Sequence, residues 1–408
     1  YNCESIINLK RFFVLEGDMV EKTLLSSKTI STAGTLFFNA VIDLWVVQIF
    51  GSARILGNTM AFTTLAAAIC SFIGGYLADS SFRLRVLIMI NAASSLVCGI
   101  AFLEQKQLIG KPLTVYLLVF LLNIGSYLSS PLFKTITSIS VEKTRIVAFN
   151  RSITFASQLC TVLIPPAATW LFAKKIIGLE GALLLNGLSF VLCALLMVGL
   201  RKADGVKTAG NSSGYLGTIK LIKNSGPLLF MALSGFILNF FLSGINVWLP
   251  YFTTKILHNA SVYGVAISCQ AVGGIIGALS IKKIKLDTSL RVERLGLVIS
   301  CGLIMVLLFA VSAPALILAM FFLAAIITRY NIALQGLIQT NVEQKYIGKT
   351  FSTTYLIANL ALPIASFLFG HLLDFSWKWL LIVVALGLSS MNLLWIIMKK
   401  RIIIRNIE

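Results

Sequence analysis

Three ionisable residues stand inside long apolar runs of this chain: Asp43, Lys134 and Arg329. A charge inside hydrocarbon is expensive, so such a residue marks a pathway or a coupling site by default. A carboxylate whose surroundings alternate between wet and dry can take up and release a proton, which would couple proton movement to cargo. Lysine and arginine can hold an anionic group on a substrate, act in a gate or close an ion pair. Polar neighbours recur around these charges at helical spacing. Thr32, Asn39 and Asp43 share one face of their run, and Asn123, Tyr127, Ser130 and Lys134 share another. Asn239, Ser243 and Asn246 form a third stripe; Thr328, Asn331, Gln335 and Gln339 form a fourth. Steps of three and four residues put each set on one side of a helix. Such stripes either line a wet cavity or join helices by hydrogen bonds, each contributing roughly 0.6–2 kcal/mol.

The elements that must position these residues are membrane spans. The chain has 408 residues, of which 58% are hydrophobic and 12% charged, and its mean hydropathy is +0.92. Hydrocarbon about 30 Å thick is crossed by about 20 helical residues. Runs of that length predict spans at 28–50, 56–79, 83–104, 113–139, 150–172, 181–200, 227–249, 262–282, 294–312, 315–339, 349–372 and 377–398. Asp43 and Arg329 then lie deep in the first and tenth spans. Lys134 lies near the inner end of the fourth, where a long side chain can also snorkel to the interface.

The net charge of +19 is distributed by topology rather than as a nucleic-acid footprint. Of the 34 Lys and Arg, 25 fall in or beside the two tails and the even-numbered gaps, 7 in or beside the odd-numbered gaps and 2 within spans. By the positive-inside rule both termini are expected in the cytoplasm, with the chain in a bacterial inner membrane and no nucleic-acid partner. The seven cysteines lack metal-ligand spacing and read as small core hydrophobes. The first 27 residues contain Lys10, Arg11, Glu16, Asp18 and Glu21, leaving no apolar core for a cleavable signal peptide.

The domain reading follows the longest polar interruption. It gives an N-terminal segment 1–27, a six-span bundle 28–200, a linker 201–226 with an interfacial-helix pattern near 215–223, a second bundle 227–398 and a tail 399–408. Two sets of six spans suggest a duplicated carrier. After the second span the chain reads Gly75, Asp79, Arg83 and Arg85, which resembles the G-x-x-x-D and basic loop of the major facilitator superfamily, with Ser80 where a basic residue is usual. Leu44-Trp45 with Gly51-Ser52, Leu185 to Phe190, Trp248-Leu249-Pro250, Tyr263-Gly264 and Gly348 to Ser352 are similar to the macrolide-efflux and enterobactin-exporter branch, a drug:proton antiporter branch.

That resemblance implies an all-α membrane protein of major facilitator fold, with 12 transmembrane helices in two six-helix bundles around a central cavity. Spans 1, 4, 7 and 10 would line the cavity, the four spans that carry the stripes. It also implies a conformational latch of Gly75, Asp79, Arg83 and Arg85, with Asp79 meeting the N-terminus of span 11 near Lys349 and Thr350.

Several patterns fail as chemistry. Gly348-Lys349-Thr350 is not a phosphate-binding loop, because Glu343 stands where its first glycine is required. Gly273-x-x-x-Gly277 is a helix-packing spacing. His258 and His371 have no catalytic partner in the sequence, and no catalytic or metal site is expected. Pro165-Pro166 and Pro363 read as helix kinks.

The expectation is a non-enzymatic, proton-coupled exporter of small amphiphilic molecules, siderophore or drug-like, working as a monomer on a proton gradient without a cofactor. Asp43 would be the coupling residue, with substrate contact or structure as its other readings. One acid against two cations in the cavity tilts the cargo toward anionic or zwitterionic molecules. A lysophospholipid or glycolipid flippase and a small-solute importer are the alternatives, with a membrane enzyme or receptor-like scaffold a distant third.

Overall fold

A computed structural model describes residues 3–78, 80–105, 110–142, 144–200, 222–280, 286–341 and 347–403. Twelve helices follow in order: α1 Cys3–Phe50, α2 Ala53–Ala78, α3 Arg83–Leu103, α4 Pro112–Ser140, α5 Ile146–Ala173, α6 Leu179–Val198, α7 Gly226–Tyr251, α8 Ser261–Leu279, α9 Leu286–Val306, α10 Ala313–Asn341, α11 Ile347–Phe375 and α12 Trp377–Ile403. No strand occurs among the described residues. Eleven of these helices contain a described stretch long and apolar enough to cross a membrane, and α9 contributes the shorter apolar stretch Leu295–Val306.

Local chemistry accounts for the helix ends. Pro112 opens α4 and Pro227 sits in the first turn of α7, where a missing N–H costs nothing. Glu180 lies in the first turn of α6, where the helix dipole favours an acid. The ninth span differs from its sequence-based limits of 294–312: the helix runs 286–306. A tight turn at Leu307–Phe309 ends it, and the hydroxyl of Ser312 then accepts from the N–H of Ala315 to begin α10. Apolarity measured along the chain cannot separate an apolar turn from an apolar helix. Pro131, Pro165, Pro166, Pro250 and Pro363 lie within helices, and Pro250 is followed at once by a π-helical turn, Phe252–Ile256.

Two compact units organise the packing. The first comprises residues 1–41, 69–164 and 177–210; the second comprises 42–68, 165–176 and 211–408. In the first, α3 packs on α4 and α6, and Leu24, Leu84, Leu87, Leu132, Ile136, Phe149 and Met197 form a buried cluster. In the second, α7 packs on α11 and α12, α8 on α10, and α9 on α10 and α12. Trp248 stacks on Phe252 at 4.2 Å between centroids, and Phe252 leans on Trp377 at 5.2 Å.

The α8–α10 contact uses Gly273 and Gly277 as their spacing suggests. A Cβ on either would strike the backbone of α10, at Phe321 and Ala325 respectively. Large apolar side chains on the other faces, such as Met89 and Leu96 of α3, Leu188 and Leu195 of α6 and Leu393 and Ile397 of α12, are exposed. In a multi-pass membrane protein those faces meet lipid. Consecutive helices joined by short turns alternate in direction. Within each unit the turns after odd-numbered helices therefore lie at one end and those after even-numbered helices at the other: 51–52, 257–260 and 376 at the odd-turn end of the second unit, 80–82 and 144–145 at the even-turn end of the first.

Candidate functional site

Asp43 occupies the second unit, seven residues or about 10 Å before the end of α1. Val41, Ile42, Leu44, Val46 and Val47 around it are buried, and the carboxylate is half-buried among them. The hydroxyl of Tyr263, in the first turn of α8, donates to Asp43 Oδ2 at 2.8 Å. Among the described residues no Lys or Arg lies within ion-pair distance of Asp43. This acid is therefore held by a neutral phenol. Tyr263 was part of the quoted Tyr263-Gly264 signature, yet nothing in its sequence position revealed the partnership.

The odd-turn end around Asp43 is tightly built. Gly57 of α2 and Gly370 of α11 meet backbone to backbone: a Cβ on Gly370 would lie 2.7 Å from the Cα of Gly57. One turn further, Asp374 of α11 reaches the N-terminus of α2. Its Oδ1 accepts from the N–H of Ala53 at 2.8 Å and of Arg54 at 3.2 Å, while the Ser52 hydroxyl donates to Oδ2 at 3.3 Å. Arg54 Nε stands 3.9 Å from Oδ2. An anion against free N–H groups and the positive end of a helix dipole is a favourable arrangement. On α5, Thr169 is fully buried, and its hydroxyl lies 3.3 Å from the carbonyls of Pro166 and Ser261, tying α5 to the start of α8.

The stripes divide between helix joining and open surface. Asn239 donates to the carbonyl of Ala358 at 3.2 Å and to Asn359 Oδ1 at 3.4 Å. Ser243, 2% exposed, meets Ser366 Oγ at 2.7 Å and the carbonyl of Leu362 at 3.4 Å. Both bind α7 to α11, whereas Asn246 is exposed. Asn123 is buried and donates to the Val119 carbonyl of its own helix at 2.7 Å. Asn39 is half-buried, and Tyr127 and Asn331 are exposed.

Arg329 extends along α10 to donate to Ser280 Oγ at the end of α8. Its guanidinium thus reaches the even-turn end, and the depth of its Cα in the span does not describe its charge. The side chains of Gln335 and Gln339 lie outside the described residues.

At the even-turn end of the first unit, α1, α4 and α5 line an open-sided cavity of about 430 Å³, where Lys134, Ser138, Asn150 and Thr154 are exposed. Lys28 enters from α1; Ser130, Lys134, Thr137 and Ser138 from α4; Asn150 and Thr154 from α5. Phe133, Ile146 and Ile153 supply its apolar wall, and Lys28 Nζ lies 5.8 Å from the centre of the Phe133 ring. Both ammonium-bearing side chains line this one cavity. Ser130 and Lys134 are thereby brought together as their spacing implied. Lys28 went unnoticed in the sequence because, at a span edge, it was grouped with the orientation-setting charges.

In the loop after α2, Gly75 belongs to the helix and Asp79 lies outside the described residues, as do the side chains of Lys349 and Thr350. Arg83 is fully buried, its Nε donating to the Ser80 carbonyl at 3.0 Å, and exposed Arg85 stands 5.3 Å from the centre of the Phe82 ring.

Twelve helices among the described residues, eleven of them with a membrane-length apolar stretch, define a multi-pass membrane protein. The sequence pattern of the Major Facilitator Superfamily matches residues 24–366, and the chain belongs to that family. It is a transporter rather than an enzyme. No curated protein sequence matches it.

Solved structures share the fold at low identity. The nucleoside transporter NupG is 14% identical with a TM-score of 0.72, over 93% of this chain and 99% of that one. A bacterial homologue of the iron transporter ferroportin in an inward-facing state is 18% identical at 0.74, over 93% and 98%. A bacterial homologue of the human lysosomal transporter Spinster, inward-facing and unoccupied, is 12% identical at 0.70, over 95% and 97%.

Proposed function

We propose that this transporter is a proton-coupled exporter of small amphiphilic molecules, siderophore or drug-like, that works by alternating access in a bacterial inner membrane. The observation that carries the reading is the Asp43–Tyr263 pair: an acid within a spanning helix, hydrogen-bonded to a neutral phenol across two helices. Charge inside a membrane is costly, and a proton arriving at Asp43 cancels it while a proton leaving restores it. A carboxylate locked to a cation would lack that freedom.

The distribution of Lys and Arg supports a cytoplasmic even-turn end, which makes the odd-turn end the outer one. Asp43 then lies beside the outer closure formed by α2 with α11 and α5 with α8. Cargo would be taken up from the cytoplasm or inner leaflet while that closure holds. Opening would wet Asp43, and proton entry would reset the carrier. The cavity with Lys28 and Lys134 favours a second reading of the same fold, a flippase for a lysophospholipid or glycolipid.

Reconstitution into proteoliposomes with an imposed pH gradient, screened with siderophores, macrolides and lysolipids, tests both. Gradient-driven flux that Asp43→Asn removes is the expected result. Flux indifferent to the gradient, and equal in Asp43→Asn, overturns proton coupling through this residue.

A further inference from the structure

We propose that the cavity between α1, α4 and α5 is an anion subsite, built to hold the phosphate or carboxylate head of an amphiphile between Lys28 and Lys134. The inference deepens the transport reading and rests on it for the idea that the bound molecule is cargo.

Four observations carry the inference. Two lysines from different helices converge on one cavity, and among the described residues neither has a carboxylate within ion-pair distance. The acid two turns before Lys28, Glu21, is engaged by Arg145 at 2.9 Å. Two like charges facing one small space repel each other, and an anion between them reverses the sign of that interaction.

Third, Thr137 lines the same cavity, is 3% exposed, and among the described residues its hydroxyl has no hydrogen-bond partner. Its neighbours on α4 behave differently: Ser126, Ser129, Thr135 and Ser138 all donate to carbonyls of their own helix. A buried hydroxyl without a partner is costly, and an anionic oxygen in the cavity would accept from it.

The fourth observation is size and wall. At about 430 Å³ the cavity falls in the range of small-molecule sites, and Phe133, Ile146 and Ile153 give an alkyl or aromatic body something apolar to lie against. A head that accepts from Thr137 while touching two ammonium groups is best served by negative charge spread over several acceptor oxygens, which phosphate and carboxylate have; a neutral sugar has the oxygens without the charge, and a quaternary amine has neither.

The test is isothermal titration of the full chain in neutral detergent with dodecyl phosphate, dodecanoate, inorganic phosphate and uncharged decyl maltoside. Dodecyl phosphate and dodecanoate are expected to bind, and more weakly as salt rises. Lys28→Gln and Lys134→Gln should each weaken binding roughly tenfold or more, and Thr137→Val by a smaller factor. Lys28→Arg and Lys134→Arg, which keep the charge, should retain most of it, and decyl maltoside should not distinguish any variant.

Alkyl phosphate affinity unchanged in the Lys28→Gln, Lys134→Gln double variant overturns the subsite. Inorganic phosphate binding as tightly as its alkyl ester overturns the amphiphile and leaves a free-anion site. Binding is read without a pH gradient, so loss of proton coupling leaves this result untouched. A carrier whose flux follows the gradient while its binding ignores both lysines keeps the transport reading and loses this one.

Discussion

The odd-turn seam of the second unit and the even-turn cavity of the first both gather charged and hydroxyl groups, but the seam pairs acids with donors while the cavity holds two lysines and hydroxyls with no acid among its lining residues. In the seam, Asp374 is matched to two backbone N–H groups, a serine and an arginine, Asp43 to a tyrosine, and Gly57 to Gly370 with no room for a methyl group. In the cavity, two lysines line one space, and among the described residues the Thr137 hydroxyl has no hydrogen-bond partner. Satisfied polar groups in close packing describe a contact that holds without help. Unsatisfied ones around a space describe a contact waiting for a third party.

The comparison can be broken most severely at Asp43. Asp43→Asn keeps the size of the side chain and a hydrogen bond to Tyr263, and it should abolish flux driven by a pH gradient while leaving counterflow exchange measurable in proteoliposomes. Next in size is Gly57→Val, which forces a branched side chain into the backbone of α11. Overpacking of this kind costs about 1–3 kcal/mol, read as a lower thermal unfolding midpoint, and should speed thiol labelling of a cysteine placed at Ser52. Asp374→Ala removes the cap from α2 without adding bulk. Its expected cost is about 1 kcal/mol, with a smaller gain in the same labelling rate.

Smaller effects sharpen the contrast. Ser243→Ala takes one hydrogen bond from the α7–α11 contact and should cost about 0.6 kcal/mol in unfolding. Lys28→Gln and Lys134→Gln should each shift stability by less than about 0.5 kcal/mol, because neither lysine closes an ion pair. A large loss of stability in either would mean that the cavity is structural scaffolding.

The sequence-based limits and the helix limits coincide closely for most spans because length and apolarity are local properties. α4, expected at 113–139, runs 112–140, and α7, expected at 227–249, runs 226–251. The site was legible only as faces. Helical spacing grouped Asn239 and Ser243 correctly on one side of α7, but which neighbour that side meets is a tertiary fact, and it proved to be α11. Counting residues into a span located the Cα of Arg329 and missed the reach of its side chain to Ser280. Asp374 drew no notice in the sequence, because its partner, the N-terminus of α2, is 321 residues away in the chain. Lys28 was concealed by a second, sufficient explanation for its charge, the positive-inside rule.

The glycine contact between α2 and α11 has a mechanical consequence. Helices that interlock through long side chains must withdraw knobs from holes to part, and each withdrawal drags rotamers through their barriers. At Gly57 and Gly370 there is nothing to withdraw. The two backbones abut like the planed edges of two boards, so at this level the joint has no interlocked side chain to release, and whatever would part it has only the polar clasp of Asp374 one turn away to undo.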